Sequence, residues 1–532
     1  MPFINIVLKI LVEYLFLHYK ILIVTGVTKY VIAILGISFI LTNVVAQQKS
    51  RVNIEHADTF KYNAKFGKDI QRLIGNVVIR QDSTLFYCDS AYINEVKNSF
   101  EAFSNVHIKV NDTVDVYSSR MLYDGNTKIA ELFDSVRLID KNTILTTDHL
   151  IYNRKSKTAL YNIGGRIVNK NNILVSKKGV YYTSTRTFHF RKDVVLTNPD
   201  QETYSDTLIY NTNNETAYFL GPTVIRGKES MIYCENGWYD TKNDLSKLVE
   251  RPSITNVDQT ITADSIYYDN NVFFGKAMGN VTIIDTSHKV ILTGKRGELW
   301  DKKGMSYVTD SAVAITYDSH DSLFIHADTM WLNFDKDRKI KMMQAYYGVR
   351  FYRKNLQGKC DSLSYSMTDS TIRMYDKPVI WSGKNQLTAD SIAIAVSGNR
   401  ADSLMMYNTS FIVSKDSIET FNQIRGKNMV AYFVNNELSK INVNGNAQTV
   451  YYVREEDGYL IGVDLAESST MTIRIKNSEI QTISYQSSVD EDMFPPKELT
   501  EKETKLKDFS WQKELRPENK MDIFRRENPE DK

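Results

Sequence analysis

Ala57-Asp58-Thr59-Phe60-Lys61-Tyr62-Asn63 is the first clear copy of a phrase that returns about every thirty residues, to near residue 470. Its form is small-Asp-x-apolar-x-Tyr-Asn/Asp. Thr147-Asp148-His149-Leu150-Ile151-Tyr152-Asn153, Ser205-Asp206-Thr207-Leu208-Ile209-Tyr210-Asn211 and Ala263-Asp264-Ser265-Ile266-Tyr267-Tyr268-Asp269 repeat it, and Cys360-Asp361-Ser362-Leu363-Ser364-Tyr365-Ser366 repeats it more loosely. A fixed period of this length marks a repeat architecture. Such arrays grow without splitting into separate cores, so the 532 residues do not require three or four domains.

A second phrase alternates with the first. Gly75-Asn76-Val77-Val78-Ile79, Ser104-Asn105-Val106-His107-Ile108-Lys109-Val110, Asp134-Ser135-Val136-Arg137-Leu138, Gly279-Asn280-Val281-Thr282-Ile283 and Tyr347-Gly348-Val349-Arg350-Phe351 carry it. Side chains alternate across a strand with period two. Val106, Ile108 and Val110 therefore share one face and His107 and Lys109 the other. Gly-Asn or Asp-Ser ahead of the strand supplies a turn. The Asp of the first phrase reads as a corner residue whose carboxylate accepts backbone N–H bonds. Roughly fourteen copies stack, the last few degenerate, so apolar faces come into register along the array. Two such faces pack into a closed core. If they splay apart, the interior is an open apolar trough.

Composition agrees with strands. Tyr (32) and Phe (23) are abundant and Pro (9) is scarce. A net charge of +2 gives no overall drive toward nucleic acid. Cys88, Cys234 and Cys360 all occupy the small position just before the acidic residue, where other copies place Ala or Thr. That reads as a small buried side chain and not as a disulfide framework.

Both ends differ from the array. Residues 1–46 hold two apolar runs, Ile4–Val27 and Tyr30–Val45. The second, with Lys29 before it and Val44-Val45-Ala46 after it, has the form of a secretory signal cleaved after Ala46. The first contains Lys9, Glu13, His18 and Lys20 and makes a poor membrane span. Either the start is misassigned, near Val27 or Val31, or the segment is an uncleaved N-terminal anchor. The repeat array is expected over 47–489. Residues 490–532, opened by Pro495-Pro496, read as a charged tail, disordered or transiently helical. Phe509, Trp511 and Phe524 within it either dock on a partner or ride in solvent.

The search for chemistry returns little. There is no C-x-x-C, H-x-x-x-H, P-loop, G-x-G-x-x-G or G-x-S-x-G. No Gly-Gly-x-Gly-x-Asp run supports calcium-stapled turns, and no carboxylate pair stands out for glycoside hydrolysis. No catalytic residue, metal ligand or cofactor is assigned, and the chain is read as not an enzyme.

The alternation of Ala-Asp-x-apolar-x-Tyr with Gly-Asn-Val-x-Ile resembles the OstA/LptA-type repeat of lipopolysaccharide-transport proteins. Leu73-Ile74-Gly75-Asn76-Val77-Val78-Ile79 with Cys88-Asp89-Ser90-Ala91-Tyr92 carries it best, as does Gly275-Lys276-Ala277-Met278-Gly279-Asn280-Val281-Thr282-Ile283. The likeness covers nearly all of 50–485 and is greatest to the long OstA-like proteins of the Bacteroidetes type. It implies an all-β fold, an elongated antiparallel β-jellyroll (β-taco, solenoid-like) of about fourteen ~30-residue repeats. It also implies a periplasmic location, an interior that shields lipid A acyl chains of lipopolysaccharide, and end-to-end self-association through open sheet edges. The partners it implies are other lipopolysaccharide-transport components at the inner and outer membranes, with an inner-membrane ATPase complex supplying energy. Under this reading Val77, Ile79, Val106, Ile108, Val136, Leu138, Val281, Ile283, Val349 and Phe351 line a lipid groove. The competing reading is a non-catalytic cell-envelope scaffold that works through its outer face.

Overall fold

The computed structural model describes residues 50–525, apart from 63–66, 68, 111–112, 229, 318–320, 338, 398–399, 418, 435–436, 456 and 477–478. The signal or anchor expected over 1–46 lies outside the described residues. The protein is all-β, with strands running from Asn53 to Phe494 and antiparallel pairings throughout. It divides into two compact units, Met1–Asp112 with Arg120–Ala130, and Thr113–Ser119 with Glu131–Lys532.

In the smaller unit, strands Ile70–Gln81, Thr84–Asn94 and Ser99–Val110 pair in sequence. Their alternation buries Val77, Ile79, Phe86, Phe100 and Ile108 on one face. Phe86, Phe100 and Tyr123 form one aromatic cluster, with centroids 4.6–5.2 Å apart. Gln81 is fully buried beside it and is satisfied by the Tyr123 hydroxyl and by the carbonyls of Ser50 and Gly125. An amide left without those partners at such a depth would be costly.

In the larger unit each long strand bends once and continues. Strand Phe274–Asp285 pairs with Val290–Trp300 on either side of a register shift at Met278/Val281. The next rungs shift at Thr293/Arg296 and Thr309/Ala312. Two consecutive left-handed residues make the bend, as at Gly279-Asn280, Asp310-Ser311, Asn408-Thr409 and Gly445-Asn446. Gly, Asn and Asp tolerate that conformation better than other residues. The Gly-Asn pairs expected to precede strands therefore lie inside them, and the chain passes through the bend without reversing. Each strand contributes one half to each of two ladders, which fold face to face along this spine of bends. Hairpin turns at the free ends of the strands form two lips.

The acidic residue of the first phrase pins the spine, by a different bond from the one expected. Asp264 accepts the Asn280 side-chain amide at 3.0 Å, and Asp58 and Asp89 accept those of Asn76 and Asn105 at 3.0 and 2.8 Å. The Asp264 backbone N–H donates to Gly279 O at 2.9 Å. Gly279 has φ +72°, and a Cβ there would collide with the Asp264 carboxylate. Gly279→Ala is expected to cost roughly 1–3 kcal/mol, from strain plus that collision. Gly383→Ala, also left-handed but with open space around it, should cost about 1 kcal/mol. Urea midpoints of the two variants check the ordering.

Cys88, Cys234 and Cys360 are buried free thiols, each pushed up to about 12 by burial. Protonated and enclosed, they serve as small apolar side chains.

Residues 495–525 differ from the solvated tail expected. They run back over the outer face of the larger unit as a strap. Gln357, Trp381, Gln386, Val413 and Gln423 form one cross-strand row on the face away from the core. Gln423 Nε2 donates to Thr504 O (2.8 Å) and its Oε1 accepts from Leu506 N (3.0 Å). Gln386 does the same with Ser510 O and Gln512 N, both at 2.7 Å. Gln357 accepts from Arg516 Nε at 2.8 Å. Phe509 and Trp511 pack on Phe421, Phe524 packs on His326, and Ile523 is buried. The composition of this segment is that of a disordered tail. Its apolar anchors and the glutamine side chains that pair with it, 81–159 residues away in sequence, hold it in place.

Candidate functional site

The inward rows of the two ladders can be followed rung by rung. On one wall Leu145, Ile167, Leu174, Leu196, Thr203, Ile225, Ile232, Ile254, Ile261, Ile283, Leu292, Ala314, Ile325 and Phe351 stand in unbroken cross-strand register. The facing row begins Tyr152, Ala159, Tyr181, Phe188, Tyr210, Ala217, Tyr239, Ser246, Tyr268 and Gly275. It continues Leu299, Ser306, Leu332, Met343, Tyr365, Ile372 and Ile394. Period-two alternation sends these residues inward and charged residues outward.

The same pattern yields two different interiors. From Leu145 to Ala217 the walls touch. Tyr152, Tyr181, Phe188 and Tyr210 are fully buried, and Tyr181 stacks on Phe188 with centroids 4.0 Å apart. Over this stretch polar bridges tie lip to lip. Tyr181 donates to Asp140 (2.7 Å), Arg186 pairs with Asp140 (3.3 Å), Asn172 Nδ2 donates to Tyr210 Oη (3.0 Å), and Lys170 pairs with Glu215. Burial, together with the Asp140 carboxylate accepting its proton, holds the Tyr181 hydroxyl well above the usual tyrosine range.

Beyond Ile225 the walls part. A cavity of about 2670 Å³ opens between them, lined from Ile225 to Phe433. The reason lies in side-chain volume. Here Ser246, Gly275 and Ser306 interrupt the Tyr and Leu residues of one wall, and Ala314 stands on the other. Groups that small leave a gap that close packing would otherwise fill. Ile254, Ile261, Ile325, Leu332 and Met343 are consequently only half-buried. At the far end a cross-groove contact closes the interior again. The Tyr485 hydroxyl lies 3.1 Å from Thr449 and donates to Asp464 at 3.0 Å. Burial raises the Asp464 carboxyl.

Of the residues singled out from sequence, Val281, Ile283 and Phe351 line this cavity. Val77, Ile79, Val106, Ile108, Val136, Leu138 and Val349 sit in closed packing, none more than 1% exposed. Sequence reasoning passed over Ile254, Ile261, Ile325 and Leu332. The signal that could have found them is the recurrence of small residues, Ser246, Gly275 and Ser306, in the opposing row.

Known proteins bear on this geometry. Residues 49–206 match the family model of the OstA-like protein, and residues 298–400 match that of the LptA/(LptD N-terminal domain) LPS transport protein. The chain is of the OstA/LptA type. The second match of this OstA/LptA-type chain falls on the hollow part of the larger unit, the first on the smaller unit and the packed stretch. No curated protein matches the chain. Among solved structures it is similar to LptH of Pseudomonas aeruginosa, the LptA-homologous periplasmic component of the conserved lipopolysaccharide transport device. The identity is 13% over 22% of this chain and 82% of that one, with a TM-score of 0.19.

Proposed function

We propose that this protein is a periplasmic, non-catalytic carrier of lipopolysaccharide that shelters lipid A acyl chains in the hollow between Ile225 and Phe433. One observation carries the reading. A cavity of about 2670 Å³ with apolar walls and open lips is far larger than the roughly 300–1,000 Å³ of a small-molecule pocket. Half-exposed Ile, Leu and Met at this density favour an apolar guest, at about 0.8 kcal/mol per buried CH₂. The attraction is non-directional, so an acyl chain can shift along Ile254, Ile261, Ile283 and Ile325 with small barriers. Of the ten residues named from sequence, Val281, Ile283 and Phe351 are those proposed to touch lipid. Partners at the two membranes and a secretory route through the N-terminal segment complete the proposal, supported by the family to which the chain belongs.

A photo-crosslinking amino acid tests it in living cells. Placed at Ile325 or Phe351, it is expected to capture lipopolysaccharide. Placed at Ile167 or Leu174, in the packed stretch, it is expected to capture none. Silence at all four positions, with the protein present and folded, would overturn the proposal.

A further inference from the structure

The lips of the hollow carry a charge pattern that the acyl-chain reading leaves unused. Lys289 and Lys354 stand on hairpins of one lip, and Lys303, Lys336, Lys339 and Arg400 on turns of the other. All six line the mouth and are exposed. Among the described residues none of the six takes part in an ion pair; Lys303 Nζ lies 6.0 Å from the centroid of the Trp300 ring.

The acidic residues of the same rim are largely committed elsewhere. Asp285 accepts from Gln259, Ser287 and the His288 backbone, which holds its carboxyl down at about 2. Asp321 pairs with Arg353. Asp335 accepts the backbone N–H groups of Asp337 and Lys339 and so closes its own turn. Asp244 takes Tyr239 and Asn270. Glu298 pairs with Arg296, and Asp258 and Asp301 also line the mouth. Cations therefore stand on both lips of an apolar slot, while most of the neighbouring carboxylates are engaged within the protein. Like charges so placed repel, and an anion between them removes the repulsion.

Resting on the carrier reading above, we propose that the two lips form a phosphate-binding rim, so that the preferred guest is a lipid with phosphate on its head group. Lysine ammoniums are donors suited to a phosphate as point charges, and basic side chains on both lips let the head group bridge the slot while its chains enter. The rim thus selects by charge, and the hollow binds by area.

The test uses the purified full chain and two probes, diphosphoryl lipid A and the same lipid with both phosphates removed. The expected result is about tenfold tighter binding of the phosphorylated probe, as a set of exposed charge pairs can supply, with the gap shrinking as salt rises. A variant carrying Lys289→Gln, Lys303→Gln, Lys339→Gln and Lys354→Gln should bind both probes equally, and should bind the dephosphorylated one as the parent does, which also shows that it is folded. Equal binding of the two probes by the parent protein would overturn the rim and leave the carrier reading standing. Failure of both probes to bind would overturn both. Inorganic phosphate at matched ionic strength should leave the bound lipid in place; displacement by it would mark a free-anion site and overturn the head-group assignment.

Discussion

A chain ending at Phe494 is expected to lose hydrogen-exchange protection by roughly a hundredfold or more in strands Asn385–Thr388 and Phe421–Val434, while Glu202–Asn211 keeps its protection. The strap accounts for the difference. Removing it uncovers Trp381, Val413 and Phe421 and deletes Phe509, Trp511 and Ile523. Each large apolar side chain returned to water costs about 1.5–3 kcal/mol. The amide pairs of Gln386 and Gln423 pass to water at roughly 0.5–1.5 kcal/mol each. A full-length variant with Gln386→Ala and Gln423→Ala separates the two contributions, and it should lose a smaller part of the protection because its rings still dock. Unchanged exchange in the truncated chain would show that the strap bears no load.

The second large effect concerns the hollow. Ser306→Trp with Ala314→Trp places two indoles on opposing walls of the cavity. Lipid co-purifying with the protein is expected to fall at least about tenfold, since the lost volume is the volume the chains would occupy. The Ser306 ring enters open space at little cost, whereas Ala314 is 3% exposed and its ring carries part of an overpacking cost of about 1–3 kcal/mol. The contrast is Ala217→Trp, on the packed stretch of the same row, where Ala217 is fully buried. Overpacking there costs about 1–3 kcal/mol or more. A double variant that retains its lipid would remove the hollow as the binding place.

Much of the fold is legible in the residues. The thirty-residue recurrence announces the array. The alternation in Val281-Thr282-Ile283 assigns its faces, and Cys at the small corner position announces its burial. The hollow is not legible locally. Ser104-Asn105-Val106-His107-Ile108 and Gly279-Asn280-Val281-Thr282-Ile283 are nearly interchangeable as strands, yet Ile108 is sealed and Ile283 faces the cavity. What separates them is the spacing of the two walls, which the other ladder and another part of the chain decide. The spine bond was closer to hand. Asp and Asn recur 16–18 residues apart, Asp58 with Asn76, Asp89 with Asn105 and Asp264 with Asn280. The strap hides for the opposite reason. Its Lys and Glu residues describe a segment that water would claim; Gln386 and Gln423, brought into one row by strand register, and Arg350 supply partners for its backbone, and Gln357 one for the Arg516 side chain.

The lip-to-lip bridges between Asp140 and Thr241 bear on traffic. A guest moving from the hollow past Ile225 meets the stacked rings of Tyr181, Phe188 and Tyr210, with Asp140, Asn172 and Glu215 knotted above them. To advance it must break several polar contacts at once and displace aromatic bulk, where inside the hollow it only exchanges one isoleucine for the next. On the carrier function proposed above, the hollow is a reservoir with a stopper at that end, whose cargo would enter and leave through the side of the slot unless some outside force draws the stopper.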